Sequence, residues 1–222
     1  MTEIKDIEVV APKKWMDAWD KIFSQMSSMT DEELSQLDII HSIQQLEHAF
    51  AITKTNTEQL RILELGCGDG SAACYLARLG SHVVAVDALA SAVSVAQRRA
   101  RILGLSNKVE FRLDDMDGWP ILPQSYDVVV AIQCLQYLFE RALPRLREVI
   151  KAIKPGGFLV YSGNVLPHYE TDPPIRFITP EELKTELEGW TLHVFGTDER
   201  LIHLNDLRGY VWTVARKPHE TN

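Results

Sequence analysis

The stretch Arg61-Ile62-Leu63-Glu64-Leu65-Gly66-Cys67-Gly68-Asp69-Gly70-Ser71-Ala72-Ala73-Cys74-Tyr75-Leu76-Ala77 decides how this chain folds. Ile62, Leu63 and Leu65 read as a buried strand, and Tyr75, Leu76 and Leu79 fit the inner stripe of a helix. Between them stand three glycines at alternate positions, Gly66, Gly68 and Gly70. Glycine suits such a turn because the backbone must bend sharply and leave room for a ligand. The arrangement reads as a nucleotide-binding turn.

The spacing narrows the ligand. A dinucleotide fingerprint is G-x-G-x-x-G, with an acidic residue about 20 positions on. Here the third glycine comes one position early, and Ser71 stands where the last glycine or alanine is expected. The next apolar run, His82-Val83-Val84-Ala85-Val86-Asp87, is continuous and β-branched, as in a strand covered on both faces. Asp87 at its tip can accept hydrogen bonds from both hydroxyls of a ribose. It can equally cap the helix expected to start near Ala90.

Three further segments carry a family resemblance. Val109-Glu110-Phe111-Arg112-Leu113-Asp114-Asp115-Met116-Asp117 reads as a strand ending in acids. Tyr126 to Leu138 is an apolar strand that runs into Gln133-Cys134-Leu135-Gln136-Tyr137. Leu146 to Tyr161 reads as a helix, a Lys154-Pro155-Gly156-Gly157 turn and another strand. With Glu64 ahead of the glycines, these four ordered matches over residues 61 to 161 resemble the class I S-adenosylmethionine-dependent methyltransferases. The resemblance implies S-adenosyl-L-methionine as cofactor. It implies that Glu64, Gly66, Cys67, Gly68 and Gly70 form the cofactor turn, and that Asp87 and Ala88 meet the ribose. It implies that Asp115 and Met116 read the adenine, and that Ile132 and Gln133 face the methionine end.

Chain-wide properties agree with a globular enzyme. The 222 residues are 45% hydrophobic and 24% charged, enough for a large core. No apolar stretch is long enough to span a bilayer, and Glu3, Asp6 and Glu8 make the first ten residues unlike a secretory leader. Cys67, Cys74 and Cys134 lack metal or redox spacing and read as buried thiols in a reducing, cytoplasmic setting. Cys67 reads as a small filler of the turn rather than a nucleophile. A net charge of −8 weighs against nucleic acid as substrate. The densest basic group, Arg98, Arg99 and Arg101, reads as a solvated helix face.

The expected architecture is α/β, a doubly wound, mostly parallel seven-stranded sheet, Rossmann-like, with the last strand antiparallel. Residues 1–59 are expected to form a helical cover and 60–218 the cofactor-binding domain. In the cover, Trp15, Trp19, Ile22, Phe23 and Met26 mark a helix over 12–27. Thr30 followed by Asp31, Glu32 and Glu33 starts a second helix, whose period runs through Leu34, Leu37, Ile39, Ile43, Leu46 and Phe50 to about residue 52. Later elements are expected at 140–153 (helix), 157–163 (strand), 180–188 (helix), 191–199 and 209–216 (strands). Ligands of such sheets lie beyond the carboxyl ends of the strands, where the motif acids fall.

The acceptor of the methyl group is harder to read. Enzymes that methylate amide or base nitrogens carry Asn/Asp-Pro-Pro-aromatic after the fourth strand. This chain has Ala131-Ile132-Gln133-Cys134 there, and its Asp172-Pro173-Pro174-Ile175 reads as a rigid turn. Phe177 to Leu183, Leu187 to Trp190 and Val214 to Lys217, with the short Tyr137-Leu138-Phe139-Glu140 link, resemble the tellurite-resistance methyltransferases. That likeness implies small, soft nucleophiles. The expectation is a small-molecule acceptor methylated by in-line displacement without a metal, no nucleic-acid or membrane partner, and an open oligomeric state. Tyr137 and His168 are the candidate catalytic residues, with Tyr169 and His41 behind them. Trp15 and Trp19 fit either a packed cover or a substrate cage. A cofactor-binding regulator without chemistry and a nicotinamide dehydrogenase are the competing readings.

Overall fold

The computed structural model describes residues 12–37, 41–165, 175–203 and 206–219. Side chains from 199 to 208 are outside that description. His168, Tyr169, Pro167, Pro173 and Pro174 lie outside the described residues, as does Ile39.

The chain opens with three helices, α1 (Lys13–Met26), α2 (Asp31–Ser35) and α3 (His41–Thr53). It continues as β1 (Arg61–Leu65), α4 (Ser71–Arg78), β2 (His82–Asp87), α5 (Ala90–Ile102), β3 (Val109–Leu113) and β4 (Tyr126–Ile132). A 3-10 segment (Leu135–Arg141) leads into α6 (Ala142–Ala152). Then follow β5 (Ile153–Asn164), α7 (Pro180–Glu186), β6 (Thr191–His203) and β7 (Asp206–Arg216). Among the described residues the strands form one sheet in the order β3-β2-β1-β4-β5-β7-β6. The first five are parallel, and β7 runs antiparallel to both β5 and β6. This is the expected doubly wound α/β architecture. The order reverses at β1, so the crevice between β1 and β4 opens beyond their carboxyl ends.

Alternation of strand residues between faces builds two buried layers. Leu63, Leu65, Val129, Leu159 and Tyr161 pack with Leu146 and Val149 of α6 and Leu183 of α7. Ile62, Val128, Val160 and Phe158 pack with Leu76 of α4 and with Ile43, Leu46 and Phe50 of α3. The rings of Phe50 and Phe158 meet edge to face at 5.3 Å. Thus α3 belongs to the sheet's own core, whereas α1 has no fully buried residue.

Several local expectations are corrected. The helix read over 30–52 is two helices. α2 starts with the Thr30–Glu33 capping box but its cap at Gln36 is already extended (φ −73°, ψ 125°). The helix read at 140–153 is α6 preceded by the 3-10 segment, and Lys154-Pro155-Gly156-Gly157 lies inside β5 rather than before it. β5 begins pairing early because Ile153 partners Tyr126, and the register then slips before Val128 meets Phe158. The last two strands are longer than read and leave only residues 204–205 between them.

The basic group on α5 also differs from its sequence reading. Arg99 is 3% exposed, not solvated. Its Nη2 donates to Asp69 Oδ2 at 2.7 Å and its Nε to the Asp69 carbonyl at 3.1 Å. Its Nη1 donates to the carbonyls of Leu34 (3.0 Å) and Gln36 (2.7 Å). Arg98 beside it donates from Nη1 to the Ser27 carbonyl at 3.1 Å and from Nε to Asp31 at 3.0 Å. These arginines fasten α2 and the end of α1 to α5 and to the glycine turn.

Candidate functional site

The glycine turn joins β1 to α4 with the backbone in the left-handed region at Gly66 (φ +64°), Gly68 (φ +53°) and Gly70 (φ +74°). At Gly66 a Cβ would sit 2.5 Å from Cys134 Cβ, so only glycine lets β1 and the end of β4 approach. At Gly70 a Cβ would sit 2.7 Å from Ala96 Cβ. Gly70 therefore closes the turn by letting α4 pack closely on α5, and it is not among the residues that line the cavity.

Beyond the turn lies a cavity of about 250 Å³. Its floor and sides carry Glu64, Gly66, Cys67, Gly68, Asp87, Ala88, Asp115, Met116, Ile132 and Gln133, with Tyr137 at one end. The turn at β1, the tip of β2, the loop after β3 and the end of β4 thus converge on one space. His41 is not among its lining residues; it stands exposed at the start of α3, edge-on to Trp212 at 6.0 Å.

Asp87 is fixed by its neighbours. Its Oδ2 accepts the Gly68 N–H at 2.8 Å and its Oδ1 the Leu89 N–H at 3.0 Å. Burial pushes its carboxyl above the usual carboxylate range, and these backbone donors pull the other way. The helix-cap reading fails in detail, because the residue in the cap position of α5 is Leu89. Asp115 is 3% exposed and accepts the Asp117 N–H at 3.1 Å.

Glu64 is buried, 4% exposed, and its Oε2 has no hydrogen-bond partner. Burial drives its carboxyl well above the ordinary range, with repulsion from Asp69 and Asp87 adding to the effect. Burial likewise raises the thiols of Cys67 and Cys134, and pushes Cys74 up to about 12. Nucleophilic cysteine chemistry needs the thiolate, so these thiols are poor nucleophiles here.

Gln133 follows β4 with φ +53°, a left-handed conformation that costs a non-glycine residue about 1–3 kcal/mol. Its N–H donates to the Ser162 carbonyl at 2.9 Å, and its Oε1 accepts from Gln136 Nε2 at 3.3 Å. The carbonyl side of the amide is thus held by Gln136. The 3-10 segment turns Tyr137 toward α1, where its ring centroid lies 5.8 Å from Trp15 and 6.3 Å from Trp19.

The fourth wall comes from α1: Trp15, Met16, Trp19 and Phe23. The position a Cβ would take on Gly68 lies 3.1 Å from Phe23 Cζ, which shows how closely the helix crosses the turn. The i, i+4, i+8 spacing of Trp15, Trp19 and Phe23 marked a helical face; Met16, Leu89, Asp69 and Ala72 also line the cavity and carried no signal of their own. Ile22, read on the same stripe, is 45% exposed.

Comparison with known proteins agrees with this geometry. Residues 62–157 match a family model described as a methyltransferase domain. The chain is 34% identical over 183 residues to the ubiquinone biosynthesis O-methyltransferase of Methylocella silvestris, covering 74% of this chain and 68% of that one. It is 28% identical over 136 residues to phthiotriol/phenolphthiotriol dimycocerosates methyltransferase 1 of Mycobacterium ulcerans, covering 57% of this chain and 48% of that protein. The chain spans about half the length of such curated relatives. Among solved structures, magnesium protoporphyrin IX methyltransferase from Synechocystis with bound S-adenosylmethionine superposes with a TM-score of 0.58 at 16% identity, over 90% of this chain and 97% of that one. Together with the ordered turn, acids and sheet topology, these likenesses establish that the chain belongs to the class I S-adenosylmethionine-dependent methyltransferases.

Proposed function

We propose that the protein transfers the methyl group of S-adenosylmethionine to a small-molecule nucleophile by metal-independent in-line displacement. The observation that carries this reading is the convergence of Glu64, Asp87, Asp115, Gln133 and Tyr137 on one cavity closed by α1. The relatives named for ubiquinone biosynthesis and for phthiotriol dimycocerosates support a small organic acceptor.

The residues present fit the cofactor. Glu64 Oε2 is a buried carboxylate oxygen without a partner, facing a space where a cationic group would relieve it. Asp87, already oriented by the Gly68 and Leu89 amides, keeps lone pairs for a ribose. Asp115 and Met116 would take the adenine, and Ala88 and Ile132 supply apolar wall. When bound, the cofactor supplies an electrophilic methyl on a sulfonium.

The chain's own contribution is position. Trp15, Trp19 and Phe23 give one side of the cavity an apolar wall, and positioning supplies most of the rate for an already activated methyl. Tyr137 Oη is the candidate to take a proton from an acceptor, such as a phenol, that must lose one in the step, with His168 as the second candidate. Of the N-terminal 59 residues read as a cover to the domain at 60–218, α1 takes that part, and α3 packs into the core of the sheet.

The test is incubation with methyl-labelled cofactor and a panel of thiols, selenite, tellurite, amines and phenols, with and without EDTA. Transfer to one of them that survives chelation is the expected result. Binding of S-adenosylhomocysteine without transfer to any of them would favour a non-catalytic regulator, and loss of activity restored by Mg²⁺ would overturn the metal-free step.

A further inference from the structure

One wall of the cavity is aromatic. Trp15 and Trp19 stand with ring centroids 5.8 and 6.3 Å from that of Tyr137, and Phe23 stacks on Trp19 at 6.0 Å. All four line the same space. The acidic groups that share it are Glu64, Asp69, Asp87 and Asp115. Asp69 is neutralised from behind by Arg99, which does not itself reach the cavity. Among the described residues no lysine, arginine or histidine lines it.

This composition discriminates between acceptors by the charge they carry through the reaction. A phenolate or an oxyanion meets no cationic side chain in the described lining; its counter-charge there would be the cofactor's sulfonium, which the step consumes. A neutral amine enters without charge and leaves as a cation. Ring faces attract such a cation through their quadrupole, most strongly where water is excluded.

Resting on the methyl-transfer reading above, we propose that the acceptor is an amine, and that Trp15, Trp19 and Tyr137 form a cage for the ammonium product. In the step, the nitrogen lone pair forms the new N–CH3 bond while the C–S bond breaks. The electron pair of that bond stays on sulfur, which becomes a neutral thioether, and the positive charge moves to nitrogen inside the cage. Where the amine carried an N–H, the proton is lost to water after release.

The experiment uses the full chain saturated with S-adenosylhomocysteine. Calorimetry first measures S-adenosylhomocysteine itself; absence of binding would sink the methyltransferase reading and this proposal with it. On the loaded protein, tetramethylammonium and trimethylphenylammonium are compared with their uncharged isosteres, tert-butyl alcohol and tert-butylbenzene, and with 4-nitrophenolate. The expected result is a preference of about tenfold or more for each cation over its isostere. W19L should lower that preference several-fold while S-adenosylhomocysteine still binds. Equal affinity for cation and isostere, or tighter binding of the phenolate, with S-adenosylhomocysteine bound normally, would overturn the cage and leave methyl transfer standing. Since the isostere comparison is made on the unaltered protein, it decides the question even if W19L fails to fold. In turnover, labelled transfer to a phenol and to no amine in the panel would equally refute the proposal.

Discussion

Replacing Arg99 by methionine should unhinge the cofactor turn from the N-terminal helices. Methionine matches arginine in helix propensity, so α5 itself is little affected. The loss is the guanidinium, which makes two hydrogen bonds to Asp69 and one each to the carbonyls of Leu34 and Gln36. Asp69 keeps only the Ser71 N–H at 3.1 Å and the Ser71 hydroxyl at 3.0 Å among its side-chain bonds. Removing one partner of a buried ion pair costs about 3–5 kcal/mol. The side chain of Asp69 is 26% exposed and so partly re-solvated, which puts R99M at the lower end, about 3 kcal/mol. For a chain of this size each kcal/mol moves Tm by about 2–4 °C, giving a fall of about 6–12 °C. The neighbouring variant is the control. R98M loses a pair whose side chains are 29% and 69% exposed, and pairs of that kind are worth about 0–1 kcal/mol. Urea unfolding followed by tryptophan fluorescence, with calorimetric melting, measures both. Arginines adjacent in sequence should differ by at least about 2 kcal/mol. Equal losses, or an R99M variant within 1 kcal/mol of the parent, would refute the assignment of Arg99 as the fastener.

Further outcomes follow from the same geometry. D87A should weaken S-adenosylhomocysteine by at least roughly tenfold in calorimetry while the circular dichroism stays unchanged, since hydrogen bonds to a charged group contribute about 1.5–3 kcal/mol each; unchanged affinity would remove Asp87 from the ribose role. Glu64 is raised by burial, so below that raised value the folded protein holds a proton that a bound cation must displace. Cofactor affinity should therefore rise with pH through the window above the ordinary carboxylate value, and the pH-dependent proton release, measured by calorimetry in buffers of different ionisation heat, should vanish in E64Q. Y137F and H168A should lower kcat far more than cofactor affinity if a proton is removed in the step, and leave kcat largely intact if it is not. Deleting residues 1–29 should leave a folded domain that binds cofactor weakly and transfers no methyl, whereas deleting 1–52 also strips Ile43, Leu46 and Phe50 from the core and should aggregate. A truncated 53–222 protein that is monomeric and fully active would contradict both expectations.

What sequence reveals and what it hides divide along the range of the interactions. The strand–turn–helix at 61–77 was legible because glycine's left-handed backbone and the apolar runs beside it are local facts. The convergence of Asp87 and Asp115 followed from topology, since every parallel strand delivers its carboxyl end to the same edge. Arg99 was misread because its partners lie far away in the chain, at Leu34, Gln36 and Asp69, and a helix pattern alone treats a charge as solvated. The stripe of Trp15, Trp19 and Phe23 announced a helical face without saying what it faces. Lys154-Pro155-Gly156-Gly157 looked like a turn from its residue types, but pairing of Ile153 with Tyr126 draws the segment into β5. Gln133 gave no sign of its positive φ, which accompanies a hydrogen bond to the Ser162 carbonyl of the neighbouring strand β5.

The way α1 is held has a kinetic consequence. It has no fully buried residue, and its contacts with other elements include the rings of Trp15 and Trp19 against Tyr137, the Ser91–Asp20 hydrogen bond at 2.6 Å and, just past its end, the Arg98 bond to the Ser27 carbonyl. Yet it forms one wall of the cavity, and release of spent cofactor past it is the expected route. Segments with few buried contacts open at a small fraction of the free energy that unfolds the whole chain. Such openings fall in the microsecond-to-second range, and turnover cannot outrun them. A solvent of raised viscosity should then slow steady-state turnover without slowing a single methyl transfer. Tightening α1 onto the sheet would make a more stable protein and a slower catalyst.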